Sequence, residues 1–411
     1  MRSDANGSSS GRSVRRSPRS TAIPSPMRIL FASTGGAGHI TPMLPLAQVC
    51  RRAGHDVLLV GPPGLEGTAE REGLAFAAGA LPDEAETGPV WARVPDLSYA
   101  EAERLVIGQV FATLNVRAML PAMRDTVRGW RPDVIVREPA EVASAVVADE
   151  EGIPHVQVGI GLISSQRQIM EVAADAVEAW RPALSARIAA TPYLTFFPPS
   201  LDGDREASPT FRFRVPQAAP APLPDYWYGD DRPLVYVTFG SVAAGVPWAA
   251  PIYEVALEAV ADLPARVLLT TGHGFEDGPL VPPGPNVRIA PWIPQADVLA
   301  SASVVVCHGG SGTTLGALAA GVPLVIAPLF ADQPENARRV ADLGAGVAVG
   351  PRAHDAPTSA IEPADLRRAI TDVLADPDPA EVARRVAREI DALPPTDEAV
   401  AVITSSARGA R

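Results

Sequence analysis

The stretch that decides the fold is Trp292–Asn336, which reads WIPQADVLASASVVVCHGGSGTTLGALAAGVPLVIAPLFADQPEN. Within it, the apolar residues 303–307 predict a buried strand that runs directly into His308–Gly310, and a helix pattern opens near Ser311 or Thr313. Glycines at a strand-to-helix turn leave backbone N–H groups exposed, and the N-terminus of a helix adds partial positive charge. The pattern therefore predicts a cradle for a diphosphate.

An acid–amide pair follows the next predicted strand. Asp332 and Gln333 carry the donors and acceptors that are needed to bind sugar hydroxyls. Asp332 could instead cap the helix that follows, or do both. Asn336 could reach a phosphate or a sugar. The segment as a whole predicts a site for a phosphorylated sugar.

A second histidine lies in the N-terminal half, at a similar turn. Residues 28–33, RILFAS, predict a buried strand, and the motif GGAGHITP turns from it into a helix. His39 in this motif has an ordinary pKa of about 6.5, which suits a general base that deprotonates a hydroxyl, although it could merely cap or pack the helix. Glu138 ends the predicted strand PDVIVRE and should reach the same cleft, where a carboxylate orients an imidazole. It could instead be solvated, or be neutralised by Arg137.

Strand and helix patterns alternate on both sides of a segment rich in Pro, Asp and Arg, residues 198–232. At 411 residues the chain is too long for one ordinary core. Alternating strands and helices imply parallel sheets, and ligands bind at the carboxyl ends of such strands. We therefore predict an α/β fold of two Rossmann-like, doubly wound parallel-sheet domains that face each other across a cleft.

Together these motifs resemble the family 1 glycosyltransferases of the GT-B fold, in the branch that decorates small natural products. HGGSGT followed by DQ resembles their nucleotide-sugar signature, and GGAGHITP is similar to their GGxGHxxP, whose His is the base. The resemblance covers nearly the whole chain from Met27 and is weakest over residues 62–130 and 160–230. It implies an inverting, metal-independent enzyme that moves a sugar from a nucleotide donor to a hydroxyl of a small hydrophobic aglycone, without a cofactor.

The resemblance also assigns roles to the parts of the chain. The last helix of a GT-B protein crosses back to the N-terminal domain, and we expect the same here. The predicted boundaries are a disordered extension at 1–26, an acceptor-binding domain at 27–214, a linker at 215–232, a nucleotide-sugar-binding domain at 233–385 and a crossing tail at 386–411.

The implied catalytic pair is His39 with Glu138, at a place where the family usually has Asp in PDxxxxD. Trp292 and Gln295 resemble the element that stacks on the nucleobase and reads its edge, whereas a lone Trp is usually a core residue. Ser241, in TFGS, could reach a phosphate or cap a helix. The implied donor-binding residues are Ser241, Trp292, Gln295, His308, Gly309, Gly310, Ser311, Gly312, Thr313, Asp332, Gln333 and Asn336, with Thr314 as an alternative to Thr313.

The donor and the acceptor are less well defined. The family often has a Glu after the cradle that contacts ribose hydroxyls, whereas this chain has Leu315 and Gly316. The absence of that carboxylate favours a dTDP-deoxysugar donor over UDP-glucose. Candidate acceptor contacts are Trp91, Phe111 and Met170. O- or C-glycosylation, and a monomer or a homodimer, remain open.

Other functions are compatible with the same motifs. A sugar-nucleotide epimerase or hydrolase would share the fold and the donor. A catalytically inactive partner protein of a glycosyltransferase would share the fold, but the presence of both His39 and the whole donor motif argues against it. A cell-wall glycosyltransferase would need an apolar membrane-facing patch, which the sequence does not reveal.

Composition excludes several chemistries. The net charge of −12 disfavours a nucleic-acid partner. All 35 residues counted as Lys or Arg are Arg, which excludes a Schiff-base Lys and a P-loop Lys. Two cysteines, Cys50 and Cys307, cannot build a disulfide framework or a zinc site, and they fit a reducing cytoplasm.

Several patterns resemble other motifs without matching them. GGAGHIT lacks the third glycine of a dinucleotide-binding fingerprint, because Thr41 stands there. The DGD segment at residues 202–204 resembles a metal-binding DxD but lies in the Pro-rich segment, so we predict no metal. Residues 298–331 contain no Asp, Glu or Arg, yet glycines and prolines interrupt them, so no membrane span is predicted. Residues 1–26 lack the apolar segment of a signal peptide.

Overall fold

The computed structural model describes residues 25–203, 205, 207–216, 219–223, 231–241, 243–246, 249–272, 280–350 and 361–409. Three sequence predictions fall partly outside these ranges. They are most of the N-terminal extension, the second Asp of the DGD segment, and the central part of the predicted linker.

Two β-sheets form the framework of the described residues. The first sheet contains seven strands: β1 (Arg28–Ala32), β2 (Asp56–Gly61), β3 (Ala75–Ala78), β4 (Val134–Arg137), β5 (His155–Val158), β6 (Tyr193–Thr195) and β7 (Thr210–Arg212). The second sheet contains six strands: β8 (Leu234–Thr238), β9 (Arg266–Thr270), β10 (Val287–Ala290), β11 (Ala302–Cys307), β12 (Leu324–Ile326) and β13 (Gly346–Ala348).

Each sheet is doubly wound. The spatial orders are β3-β2-β1-β4-β5-β6-β7 and β10-β9-β8-β11-β12-β13, and neighbouring strands are parallel. The direction of winding therefore reverses between β1 and β4 in one sheet and between β8 and β11 in the other. Such switch points open the crevices in which ligands of this fold class bind. The predicted fold class of two Rossmann-like parallel sheets is confirmed.

Helices connect the strands and cover both faces of the sheets. In chain order they are α1 (Ala37–Ile40), α2 (Leu44–Arg52), α3 (Glu66–Arg71), α4 (Glu84–Trp91), α5 (Tyr99–Leu105), a π-helical segment (Val106–Asn115), α6 (Val116–Trp130), α7 (Ala143–Glu151), α8 (Ile163–Trp180), α9 (Leu184–Ala189), α10 (Ile252–Val260), α11 (Gln295–Leu299), α12 (Ser311–Ala319), α13 (Gln333–Leu343), α14 (Pro363–Ala375), α15 (Asp378–Asp391) and α16 (Ala399–Gly409).

The strands are apolar along their length because both of their faces are covered. Ile29 and Phe31 of β1 belong to one buried cluster, whereas Leu30 and Ala32 belong to another on the opposite face. This alternation follows from the two-residue period of a strand. Parallel strands with helices on both sides therefore read as continuous apolar runs, as in RILFA and VVVC.

The helical stretch Tyr99–Trp130 comprises α5, the π-helical segment and α6. By length and composition alone it is long and apolar enough to cross a membrane. Its apolar side chains Met119 and Met123 pack in the same buried cluster as Leu30 and Val60 of the first sheet. One face of the stretch therefore lies in the core of the N-terminal half, and 39% of its most apolar window is buried.

The C-terminal helix α16 packs against α2, β4 and β5 of the first sheet. Ala399 and Ile403, on its inner face, are fully buried. The chain therefore ends against its N-terminal half, after α14 and α15 have packed on the second sheet and its helices.

Candidate active site

Four of the predicted site residues lie at the two switch points. His39 follows β1, within α1, and Glu138 directly follows β4. In the other sheet, Ser241 follows β8 and His308 follows β11. Ligands of doubly wound sheets bind outside the carboxyl ends of the strands at these positions. The fold thus brings both predicted motifs to the edges where binding is expected.

The carboxylate of Glu138 is held by hydrogen bonds from Thr34 and Ala140 in addition to its contact with His39. Its Oε1 accepts the backbone N–H of Thr34 at 3.0 Å and the Thr34 hydroxyl at 2.9 Å. Its Oε2 accepts the backbone N–H of Ala140 at 2.6 Å and lies 3.3 Å from Nδ1 of His39. That last contact has the distance of an ion pair without the alignment of a hydrogen bond. The longer Glu therefore reaches the imidazole, and Nε2 is left to take a proton.

Burial and charge shift the pKa values of His39 and Glu138 in opposite directions. Burial would raise the pKa of Glu138, but the facing His39 and the amides of Thr34 and Ala140 lower it below its usual range. Burial would lower the pKa of His39, but the charge of Glu138, with a smaller effect of Asp332, raises it above 6.5. The result is an ionised carboxylate beside a basic imidazole, which is the arrangement of a general base.

Arg137 makes its hydrogen bonds to backbone carbonyls and not to the Glu138 carboxylate. Its buried guanidinium donates from Nε to the carbonyl of Glu141 at 2.9 Å and from Nη2 to the carbonyl of Pro139 at 3.0 Å. These bonds shape the turn that carries the Ala140 N–H. Among the described residues no close ion pair joins Arg137 to Glu138, although their charges act on each other. A solvated Glu138 is wrong, because its side chain is 0% exposed.

Phe111 lies over His39 from the π-helical segment. The two rings are stacked, with centroids 5.8 Å apart and planes at 27°. A π-helical turn interrupts the regular backbone hydrogen bonds of an α-helix. In this segment the carbonyl of Ala112 accepts the indole N–H of Trp180 at 2.8 Å. Phe111 also lines a small, mostly apolar cavity. Other residues that line it are Thr34, Pro62, Leu81, Met119 and Val142.

The cavity measures only about 20 Å³, which is too small to hold an aglycone, and His39 does not line it. Phe111 is the acceptor candidate that stacks on His39. The other two acceptor candidates lie elsewhere. Trp91, at the end of α4, is 47% exposed, and Met170 on α8 packs against a buried cluster of the first sheet.

Glycines enclose His308. A Cβ on Gly310 would lie 2.5 Å from Nε2 of His308, and a Cβ on Gly240 would lie 2.9 Å from its Cε1. Gly309 has a φ of 85°, a left-handed conformation that a side chain would strain. The imidazole, the turn and the start of α12 at Ser311 therefore pack without side chains between them. The first N–H groups of α12 are left to bind an anion, as the sequence predicts.

The two histidines differ in charge. Burial lowers the pKa of His308 to about 4. Its Nδ1 has no hydrogen-bond partner in the part of the chain that the structure describes. At neutral pH this imidazole is uncharged and can donate one N–H to a phosphate oxygen, but it supplies no positive charge.

Asp332 organises the sugar side of the donor motif. Its Oδ2 accepts the hydroxyl of Ser311 at 2.5 Å and Nδ2 of Asn336 at 2.9 Å. Asn336 also donates to the carbonyl of Gly309 at 2.8 Å, so it ties the cradle to Asp332. The side chain of Asp332 makes no capping hydrogen bond to α13. Oδ1 is therefore the oxygen that is better placed for a ligand.

Three of the predicted donor contacts are buried: Asn336, which is 1% exposed, Gln333 and Thr314. Gln333 is 2% exposed, and its Oε1 accepts the backbone N–H groups of Leu329 at 2.8 Å and Phe330 at 2.9 Å. It shapes the turn before α13. Thr314 is fully buried, so Thr313, which is half-buried, is the threonine placed for the phosphates.

Trp292 and Gln295, the predicted base-binding residues, lie just before α11 and at its first residue. Trp292 is 57% exposed, unlike a core tryptophan. A Cβ on Gly316 would lie 2.6 Å from Oε1 of Gln295, so the amide of Gln295 occupies the space above this glycine. This end of the site therefore presents an indole face and an amide.

Sequence reasoning missed Thr34 as the residue that holds Glu138. The available signal is a hydroxyl immediately after the first strand, in FAST before the glycines. Gly312 and Ser241 are exposed at their turns, where a phosphate can approach them.

A metal site does not emerge from the described residues, because no group of three or more His, Cys, Asp or Glu side chains converges there. Asp202 of the DGD segment accepts the backbone N–H of Ile163 with both carboxylate oxygens, at 3.0 and 3.1 Å. Asp204 lies outside the described residues.

Two family models match the chain. The N-terminal domain of the family described as "Erythromycin biosynthesis protein CIII-like" matches residues 48–240, and the C-terminal domain matches residues 254–405. The chain belongs to this family. The predicted family 1 glycosyltransferase of bacterial natural products is thereby confirmed.

Two similar proteins agree with this family. The L-demethylnoviosyl transferase of Streptomyces niveus is 33% identical over 90% of this chain and 100% of its own length. Elloramycin glycosyltransferase ElmGT of Streptomyces olivaceus is 34% identical over 92% of this chain and 97% of its own length. The protein is accordingly a glycosyltransferase.

Solved structures agree with the fold. Glycosyltransferase SnogD from Streptomyces nogalater is 28% identical, with a TM-score of 0.65 over 93% of this chain and 99% of its own. Glycosyltransferase VinC in complex with DTDP is 23% identical, with a TM-score of 0.70 over 93% of this chain and 100% of its own. The GT-B fold is confirmed.

Proposed function

We propose that this glycosyltransferase moves a deoxysugar from a dTDP-sugar, with inversion and without a metal ion or cofactor, to a hydroxyl of a small hydrophobic aglycone in the cytoplasm. The observation that carries the proposal is the pair of His39 and Glu138. This base is held at the carboxyl edge of one sheet, and the charge of Asp332 in the donor motif of the other sheet acts on it.

In the proposed reaction, the acceptor oxygen attacks the anomeric carbon and forms the new C–O bond. Nε2 of His39 takes the proton of the acceptor hydroxyl, and Glu138 stabilises the imidazolium that results. The bond from the anomeric carbon to the diphosphate breaks on the opposite face, and its electron pair leaves with the nucleoside diphosphate. The N–H groups at the start of α12 and neutral His308 stabilise the charge that develops there.

A donor with few hydroxyls suits the sugar side of the site. One oxygen of Asp332 is engaged by Ser311 and Asn336, and the amide oxygen of Gln333 is engaged by backbone N–H groups. Few polar groups are therefore left for sugar hydroxyls, which supports a deoxysugar. The name of one relative, the TDP-daunosamine transferase DnrS of Streptomyces peucetius, supports a TDP-sugar as the donor.

The nucleotide half of the proposal rests on Gly316. A carboxylate at this position would read ribose hydroxyls, whereas here the amide of Gln295 lies over a glycine. We infer that the site depends little on the 2′-hydroxyl and accepts dTDP, with UDP-glucose as the alternative donor.

The test is a product assay with dTDP-glucose, whose sugar is α-linked, and 4-methylumbelliferone as a hydroxyl acceptor. We expect a β-glucoside, identified by its anomeric coupling in NMR, and the same rate with and without EDTA. An α-glucoside would overturn inversion, and loss of activity in EDTA that Mg²⁺ restores would overturn metal independence. Release of dTDP at one rate with and without acceptor would indicate a hydrolase.

A further inference from the structure

The β5–α8 loop, residues 159–162, brings the N-terminal domain against the donor motif. A Cβ on Gly161 would lie 3.0 Å from Oδ2 of Asp332 and 3.4 Å from Oγ of Ser311. Just beyond it, in the first turn of α8, the hydroxyl of Ser164 donates to Oε1 of Glu335 at 2.8 Å. A glycine and a short hydroxyl thus allow one domain to touch the sugar side of the other.

The loop is fixed from within its own domain. Gln166 donates from Nε2 to the carbonyl of Gly161 at 3.2 Å, and its Oε1 accepts the hydroxyl of Tyr193. Asp202 caps α8 through the N–H of Ile163. Gln166 and Asp202 are 7% and 1% exposed, so both anchors are shielded from water. Asp202 of the DGD segment therefore holds a helix end at the cleft.

The opposite side of the contact is also fixed. Glu335 receives Nε and Nη2 of Arg338, both at 2.7 Å, which holds it on the surface of α13. Asp332 is held by Ser311 and Asn336. The contact therefore joins two segments that are each hydrogen-bonded within their own domain, and it spans the cleft where the charge of Asp332 acts on His39.

We propose that Gly161 and Ser164 are positioning residues for glycosyl transfer. They hold the acceptor domain at the distance from Asp332 and Glu335 that places His39 over the sugar. The inference rests on the proposed function. A closed cleft keeps the reacting atoms aligned and excludes water, which competes as an acceptor. Loss of the contact loosens closure without changing the diphosphate cradle.

The first test is Ser164→Ala, and Ser165→Ala is its matched control. Ser165 is the adjacent serine, is 7% exposed, and has no hydrogen-bond partner in the described part of the chain. In Ser164→Ala we expect kcat/KM for transfer from dTDP-glucose to 4-methylumbelliferone to fall by roughly tenfold, the effect of one lost hydrogen bond. A larger share of the donor is then hydrolysed. Ser165→Ala keeps the wild-type ratio of transfer to hydrolysis. Ser164→Thr, which retains the hydroxyl, restores transfer.

The affinity for dTDP alone distinguishes a loss of domain closure from damage to the donor-binding domain. Isothermal titration should give Ser164→Ala the wild-type Kd within about twofold, because dTDP lacks the sugar and does not need the second domain. Gly161→Ala is the second variant. Its methyl group meets the Asp332 carboxylate at 3.0 Å, so we expect a larger loss of transfer than in Ser164→Ala.

Two results would overturn the inference. One is a Ser164→Ala enzyme that matches Ser165→Ala in transfer and hydrolysis. The other is a dTDP affinity that falls in parallel with transfer, which places the damage in α13 itself. Both leave transfer by the wild-type enzyme intact, so they are distinct from a failure of the proposed function, in which the wild-type enzyme forms no glycoside at all.

Discussion

The two halves of the molecule place a histidine at equivalent points and give it opposite electrostatics. His39 lies beside the switch point of the first sheet, and the charge of Glu138 overcomes burial to raise its pKa. His308 lies beside the switch point of the second sheet, and burial lowers its pKa to about 4. The first histidine is suited to take a proton, and the second is suited to stay neutral.

The difference comes from what ends the neighbouring strand. β4 is followed directly by Glu138, whose carboxylate faces His39. β8 ends in a turn through Gly240, which approaches the ring of His308 without a side chain. We propose that one fold supports acid–base chemistry in one domain and anion binding in the other, and that single residues after the strands decide which.

Removal of His39 should have the largest effect. His39→Ala is expected to lower kcat for glycoside formation by about 10²–10⁴-fold, the usual contribution of a general base, with the Kd for dTDP unchanged. The measurement is steady-state transfer to 4-methylumbelliferone, together with isothermal titration of dTDP. Turnover at the wild-type rate would remove His39 from the base role.

Removal of the Glu138 carboxylate should lower the pKa of His39, as burial lowers that of His308. In Glu138→Gln, burial is left without the opposing charge, so the pKa of His39 falls. Since the base must be unprotonated, the wild-type kcat/KM should decline as the pH drops below a pKa above 6.5, and this limb should move to lower pH in the variant. We expect a loss of about 10²-fold at the plateau. Glu138→Asp, which keeps the charge, is the control, and an unmoved limb in Glu138→Gln would contradict the pairing.

The second histidine should act on binding. His308→Ala is expected to weaken dTDP binding by about tenfold, the effect of one hydrogen bond to a charged group, and to slow transfer as well. Because the pKa of His308 is about 4, its contribution to dTDP affinity should not change between pH 6 and 8. His308→Gln retains an N–H donor and should bind more tightly than His308→Ala. Wild-type affinity in His308→Ala would place the ring outside the cradle.

The smallest expected effect concerns the nucleotide. With one acceptor, dTDP-glucose should be used at least as well as UDP-glucose, because Gly316 offers no carboxylate to the ribose. A preference for UDP-glucose of more than about tenfold, or ~1.4 kcal/mol in the transition state, would mean that another residue reads the 2′-hydroxyl.

The sequence predicts the fold because the information is local. Apolar runs such as RILFA and VVVC alternate with helices, and glycine turns mark the strand ends. Since parallel strands place their carboxyl ends together, the positions of His39 and His308 followed from chain order alone.

Contacts between distant segments could not be predicted in the same way. No spacing rule links Phe111 to His39, because the π-helical segment that presents it depends on tertiary packing. The inward orientation of Gln333 depends on the turn at Leu329, and the approach of Gly161 to Asp332 depends on how the two domains meet. Motifs identify which residues carry the chemical groups that catalysis and binding need. Packing decides which of these residues are exposed to a ligand.

The most direct test of the contrast between the domains is an NMR titration of the histidine side chains in 15N-histidine-labelled protein. The chain has 6 histidines, and His39→Gln and His308→Gln spectra assign the two that matter. We predict that His39 titrates above pH 6.5 and that His308 remains neutral down to at least pH 5. If both titrate near their ordinary pKa of about 6.5, or in the reverse order, the assignment of base and anion site to the two domains is contradicted.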